Sequence, residues 1–261
     1  MNRTFLLLVT FLFWFSLPSC AQQNLFNLPS SDITIKSKPF FQQQINIVSD
    51  GTVLLNSTFS YGLGNELEIG FNVLGIVIER EHGFVSNSDG ANPPTYPFYT
   101  LNVQKAWTLN KSFKLAVGTQ TGYSVGMHFG TYDYFNVVTA LPQYHLKVIT
   151  GANYGSQSFL GTGDKDPSLP ATYSPIGFQV GLEYELIKEK LLAQGEYLSG
   201  THSLGLTAVG FGYHVSEHWV MSLGYQIPNA SNNALNSVIV EFTYVPSVVS
   251  HRRVYHEGHP D

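Results

Sequence analysis

Residues 176–186 read Ile-Gly-Phe-Gln-Val-Gly-Leu-Glu-Tyr-Glu-Leu. Ile176, Phe178, Val180, Leu182, Tyr184 and Leu186 form one apolar row, while Gly177, Gln179, Gly181, Glu183 and Glu185 form the other. Period-two alternation of this kind predicts a β-strand with one apolar and one polar face. Two surroundings permit such a strand: a soluble sheet with a wet face, or a barrel wall between lipid and a polar lumen. How often the chain repeats the pattern decides between them.

It repeats across most of the 261 residues. Alternating stretches fall at 41–47, 53–63, 67–78, 99–108, 113–123, 133–141, 144–154, 176–186, 191–199, 207–213, 219–227 and 238–244, twelve in all. The frame blurs near 74–76, which predicts a bulge. Asp50-Gly51, Gly64-Asn65, Asn110-Lys111 and Pro142-Gln143 supply turn residues between stretches. The second, fourth, sixth, eighth and tenth connections are short, whereas both long loops, 80–97 and 155–175, join the other ends, with 49–51 the short exception there. Short turns on one side, long loops on the other and an even strand count describe a transmembrane barrel. A soluble sandwich has no reason to sort its loops this way.

The aromatic residues give a second check. With the short turns placed on the periplasmic side, Tyr61, Trp107, Phe113, Tyr144, Tyr184, Trp219 and Tyr244 end the outward rows below. Tyr99, Tyr123, Tyr154, Tyr197 and Tyr225 end them above, and aliphatic residues dominate between. Two aromatic girdles around an aliphatic band mark the membrane interfaces of a barrel. Lys105, the one charge in an outward row, lies near Trp107, from where it can reach the interface.

Composition agrees. Charged residues are 12 % of the chain, with 24 Gly, 15 Tyr, 18 Phe and a mean hydropathy near zero. Ordinary soluble domains carry about 25 % charge. The net charge of -5 and the lack of a basic patch argue against a nucleic-acid partner. Arg3 followed by the apolar run 5–17 and Ser19-Cys20-Ala21 predicts a signal peptide at 1–21. The competing reading, a lipoprotein site that acylates Cys20, is disfavoured by Pro18. The single cysteine then leaves with the signal, and disulfides contribute nothing. No later run approaches the roughly 18 apolar residues of a spanning helix, so any crossing is by strands.

The expected organisation is therefore a signal peptide (1–21), a periplasmic lead-in (22–39), an all-β, up-and-down antiparallel transmembrane β-barrel of about 12 strands (40–246) and a periplasmic tail (247–261). Location in the outer membrane follows, with outer-membrane lipid and a small solute as partners. Nothing in the chain sets an oligomeric state or decides whether residues 24–39 enter the lumen as a plug.

The inward rows hold the residues that could carry chemistry. Glu66, Glu68, Lys114, His145, Lys147, Glu183, Glu185, Glu196 and Glu241 are candidates for lining or constricting the lumen, with His218 near the same end. A ring of mixed charge would bias which solutes pass. The alternative is a salt-bridge network that fills a narrow barrel, since buried charges need partners in any case. A catalytic set is not expected: the phospholipases built on twelve strands need a His-x-Ser pair on one strand, whereas His202 and Ser203 are adjacent and point to opposite faces. No cofactor is expected. Asp164-Lys165-Asp166 falls far short of a calcium loop, and His251, Arg252, Arg253, His256 and His259 lack metal-ligand spacing. Outer-membrane barrels commonly end on an aromatic strand residue, and here 17 residues follow Tyr244.

Residues 67–72 after Gly64-Asn65, the run Trp107-Thr108-Leu109-Asn110-Lys111-Ser112-Phe113 and the closing stretch 238–244 give the chain a family likeness. In pattern and turn placement over residues 40–245 it resembles small Gram-negative outer-membrane channel proteins. The nearest group in this respect is the transporter-like one that includes the phenol-degradation MetA-pathway barrels. Membership implies uptake of small, often hydrophobic molecules.

Overall fold

The computed structural model describes residues 24–161, 174–230 and 234–246. The expected signal peptide, the Asp164-Lys165-Asp166 loop and the histidine-bearing tail lie outside the described residues. Thirteen strands follow in chain order: β1 (Pro39–Val48), β2 (Val53–Gly64), β3 (Leu67–Glu79), β4 (Gly83–Val85), β5 (Phe98–Thr108), β6 (Phe113–Ser124), β7 (Phe129–Leu141), β8 (Leu146–Gly155), β9 (Ile176–Ile187), β10 (Leu191–Leu198), β11 (Leu206–His214), β12 (Trp219–Pro228) and β13 (Ser237–Tyr244). One short helix, α1 (Gln157–Leu160), follows β8. Twelve of these strands close a barrel in which every neighbour is antiparallel; β4 only folds back on the top of β3. The seam pairs β1 with β13 from Phe41 opposite Tyr244 to Val48 opposite Ser237.

The alternation decides which way each row faces. Along β1, Gln42, Gln44 and Asn46 are buried inside, while Ile45 and Ile47 face outward. Along β9, the opening stretch of the sequence, Gln179 is fully buried while Phe178, Leu182 and Tyr184 are exposed. Trp107, Phe113, Tyr144 and Trp219 ring the short-turn end, and Tyr99, Tyr123, Tyr154 and Tyr225 the other; all are exposed as a lipid-facing girdle requires. Trp219 and Tyr244 meet edge to face at 5.5 Å. Lys105 bends over Trp107, with Nζ 5.4 Å from the ring, and donates to the Asn65 carbonyl at the rim.

The irregularity expected near 74–76 is a bulge. The β2–β3 register shifts between Leu55 and Ser57, Gly75 takes φ +69°, and its N–H donates to Asn56 Oδ1 at 2.8 Å. The bulge flips the row: Glu68 and Asn72 face inward below it, Val77 and Glu79 above it. Two expectations need correction. The strand expected at 133–141 is β7 and starts at Phe129, because its first residues still pair with the end of β6. Within the loop 80–97, β4 and an Asn87–Tyr96 bridge make an ordered hairpin.

The larger correction concerns the lead-in. Residues 24–34 run inside the barrel, with Leu25, Phe26, Leu28, Ser31 and Thr34 all buried. The segment turns on itself through an Asn24–Pro29 bridge and a Leu25 N–H to Leu28 carbonyl bond of 2.8 Å. It leaves along the short-turn rim, where Lys36 bridges Gly62, and enters β1 at Pro39. The barrel's apolar core is therefore luminal: Leu25, Phe26 and Leu28 pack against Val138, Ile149, Leu198, Leu206 and Ile239. A periplasmic linker of this composition would leave three large apolar side chains in water; inside the barrel they are covered.

Candidate functional site

The luminal segment, hereafter the plug, is held by charge and by shape. Glu196 on β10 accepts hydrogen bonds from the N–H groups of Phe26 (3.2 Å), Asn27 (2.9 Å) and Leu28 (3.0 Å) and from Asn27 Nδ2 (2.8 Å). One carboxylate thus satisfies three consecutive backbone donors, a charge-assisted arrangement stronger than neutral bonds. Lower down, Asp32 of the plug meets Lys147 of β8, with Nζ to Oδ2 at 2.7 Å, and Lys147 also reaches Glu183 at 3.3 Å. Lys114 stands 3.9 Å from the other Asp32 oxygen. Glu68 on β3 accepts from the Thr34 N–H at 2.7 Å and from Gln104 Nε2 at 3.1 Å. Asn136 Nδ2 donates to the Pro29 carbonyl and to Ser31 Oγ, each at 3.0 Å.

Shape complements this. A Cβ on Gly224 would lie 2.8 Å from the Phe26 ring, one on Gly210 likewise, and one on Gly181 2.6 Å from Leu25. These inward glycines are pits into which the plug's apolar side chains fit. At the rim a Cβ on Gly62 would lie 2.1 Å from the Thr34 carbonyl oxygen, so only glycine lets the exiting chain pass.

All of the predicted lumen residues but Glu241 divide into two groups. Glu68, Lys114, Lys147, Glu183 and Glu196 come together around the plug, in the short-turn half and at mid-height. Glu66, His145 and Glu185 stay at the rim and bond locally: Glu66 accepts from Thr108 N–H and Oγ1, and His145 Nδ1 lies 3.0 Å from Glu185 Oε2. Hydrogen bonding from Thr108 and the nearby Lys114 and Lys105 outweigh partial burial and hold the Glu66 carboxyl below its ordinary pKa. Glu241 is buried beside a small cavity of about 50 Å³ bounded by Ser222, Gln194 and the plug's Ser30. His218 sits outside the lumen, its Nδ1 3.2 Å from the Val245 carbonyl.

Sequence reasoning missed Asp32, Asn27 and Thr34, the plug's own polar anchors. A signal was present: the inward rows carry aliphatic residues at Val138, Ile149, Leu198, Leu206 and Ile239, out of place in a water-filled lumen.

Above the plug the lumen opens into a chamber of about 430 Å³. Asn24, Phe26 and Asn27 form its floor. Gln42, Gln44, Asn46 and Asn56 give it one polar wall; Phe98, Phe159, Leu204 and Leu206 give it an apolar one. Phe159 of α1 packs on Phe98 at 5.3 Å and stacks on Tyr132 at 5.9 Å. Loop contacts hold this wall in place: Thr95 N–H donates to the Ser158 carbonyl, and Ser203 N–H and Oγ donate to the Leu160 carbonyl.

A closed antiparallel barrel with an apolar, aromatic-girdled exterior and a polar interior is an outer-membrane β-barrel protein, located in the outer membrane. Solved structures agree. The chain is similar to the NanC porin at 11 % identity with a TM-score of 0.51, covering 79 % of this chain and 99 % of that one. The likeness shows the fold. Weaker matches include LpxR from Salmonella typhimurium (10 % identity, 80 % and 100 % covered, TM-score 0.41) and the Acinetobacter baumannii outer-membrane channel DcaP (12 %, 78 % and 70 %, 0.31); at these scores they carry no argument. No family model and no curated protein matches, so the likeness to the MetA-pathway group stands on pattern alone.

Proposed function

We propose that the protein is a passive uptake channel for small solutes, held shut by its N-terminal plug. The observation that carries this reading is the division of one lumen into a hollow chamber above and a filled, charge-anchored segment below. A solute reaching the chamber passes only when residues 24–34 shift. The anchors are polar bonds and apolar contacts on one short segment, so they can release together without opening the wall. Selection by the mixed charges Glu68, Lys114, Lys147, Glu183 and Glu241 belongs to the open state, after Asp32 has left. The reading is not enzymatic: Ser203 Oγ is committed to the Leu160 carbonyl at 2.8 Å, which leaves it poorly placed as a nucleophile.

Planar-bilayer recordings of the intact protein and of a variant lacking residues 24–35 test the proposal. The intact protein is expected to stay closed or open briefly, and the shortened one to show stable steps. Absence of steps at any voltage in the shortened, folded protein would falsify it. That result would favour the second reading, a non-conducting structural or adhesive barrel whose external loops bind a ligand. The depth at which the plug is buried speaks for this second reading.

A further inference from the structure

We infer that the chamber above the plug is a binding site for a small uncharged molecule that joins an apolar, preferably aromatic, body to a hydrogen-bonding amide or hydroxyl group. Its volume of about 430 Å³ lies within the roughly 300–1,000 Å³ of small-molecule sites. Three properties of its wall define the ligand.

First, the wall is almost free of formal charge. Among the described lining residues Glu79 alone carries one, and it sits at the very end of β3. The ionised groups of the lumen, Asp32, Lys147, Glu183 and Glu196, are gathered below or at plug level and are spent on one another and on the plug. An anion entering the chamber would lose hydration and gain no counter-charge, and a cation would find only Glu79, whose carboxylate already lies 2.9 Å from His82 Nδ1. Second, Phe98, Tyr132 and Phe159 present neighbouring ring surfaces, with Leu204 and Leu206 beside them. Such a face takes an apolar or aromatic body.

Third, the opposite wall holds hydrogen-bonding capacity in reserve. Gln44 and Asn46 are adjacent in the inward row of β1, 5 % and 4 % exposed. Asn56 Nδ2 donates to Gln44 Oε1 at 3.0 Å, which fixes the amide and leaves Gln44 Nε2 as a donor. Among the described residues neither Gln44 Nε2 nor Asn46 Oδ1 has a hydrogen-bond partner. Buried polar atoms are nearly always paired. A donor and an acceptor two residues apart on one strand match a group that both accepts and donates, as a carboxamide does.

The inference deepens the uptake reading, on which it rests only for what becomes of the ligand afterwards. Its test uses the intact detergent-solubilised protein and fluorine NMR of three probes of one shape: neutral 4-fluorobenzamide, anionic 4-fluorobenzoate and cationic 4-fluorobenzylammonium. Saturable broadening of the benzamide, reversed by unlabelled benzamide, with at least tenfold weaker effects from both ions, is expected. Leu204→Trp fills the chamber and should abolish the broadening. If that variant does not fold, Asn46→Leu decides. It is isosteric, breaks no hydrogen bond among the described residues, and should weaken benzamide about fivefold, the loss of one neutral hydrogen bond. Equal binding of the charged probes, or benzamide binding indifferent to both substitutions, overturns the site. Benzamide binding in a protein that never conducts after plug removal keeps the site and overturns uptake.

Discussion

The two halves of this lumen are built from the same alternating strands and differ in almost everything else. Below, the inward row supplies Glu68, Lys147 and Glu183, with Glu196 and the glycine pits at mid-height, and a segment of the chain itself fills the space. Above, the inward row supplies amides facing aromatic rings, and the space is hollow. Charges in a narrow low-dielectric tube demand partners, and here the plug brings Asp32 and three backbone N–H groups to meet them. Amides tolerate a looser arrangement. The half that must be charge-compensated is closed, and the half that is neutral is left for a guest.

The comparison can be broken from below first. Lys147→Met leaves Glu183 without its cation and Asp32 with only Lys114, 3.9 Å away, and removing one partner of a buried ionic set costs about 3–5 kcal/mol. Hydrogen exchange of the amides of residues 25–34 should accelerate accordingly while the strands of the upper half stay protected. Uniform loss of protection over the whole barrel would show that plug and wall are one cooperative unit.

A smaller effect is expected from shape alone. Gly224→Leu fills the pit under Phe26, and overpacking of this kind costs about 1–3 kcal/mol. Because it leaves every charged anchor untouched, it separates packing from electrostatics in the same exchange measurement. Unchanged exchange at residues 25–28 would mean that the pits contribute little.

The smallest effect belongs above. His202, in the loop joining β10 and β11, is pushed down to about 4 by burial, against an ordinary value of 6.5. In that window the opened loop takes up a proton that the closed loop refuses. Closure is therefore fully present above about pH 6.5 and weakens as pH falls towards 4. The protection of the Ser203 and Gly205 amides, measured against their intrinsic exchange rate at each pH, should fall between pH 7 and 5, and His202→Gln should flatten the fall. If the amides of residues 25–28 open in parallel through the same titration, the chamber wall and the plug are coupled rather than separate.

Much of the wall was legible from alternation. The twelve strands, the loop parity, the girdles, the bulge near Gly75 and the position of Lys105 all follow from side-chain period and from where aromatic residues and turns fall. The lumen was legible as polar, while its occupation by residues 24–39 stayed an open alternative. Residues 24–34 lack any periodicity, because an irregular segment takes its conformation from its surroundings. Pro29 and neighbouring serines read as a linker for the same reason that they suit a tight luminal turn. Glu196 looked like one more lumen carboxylate, since its partners are backbone N–H groups, which every residue except proline has and no sequence pattern advertises.

The strap that joins plug to wall is short: Thr34 is the last buried anchor and β1 begins at Pro39. The plug is thus a ligand tied to its own receptor, at an effective concentration on the order of millimolar for a short tether. Even a segment that bound as a free peptide with a dissociation constant of only about 10 μM would occupy the lumen roughly 99 % of the time at that concentration. Closure therefore comes from tethering as much as from contact strength, and a single cut in the strap would lower occupancy without touching one anchor.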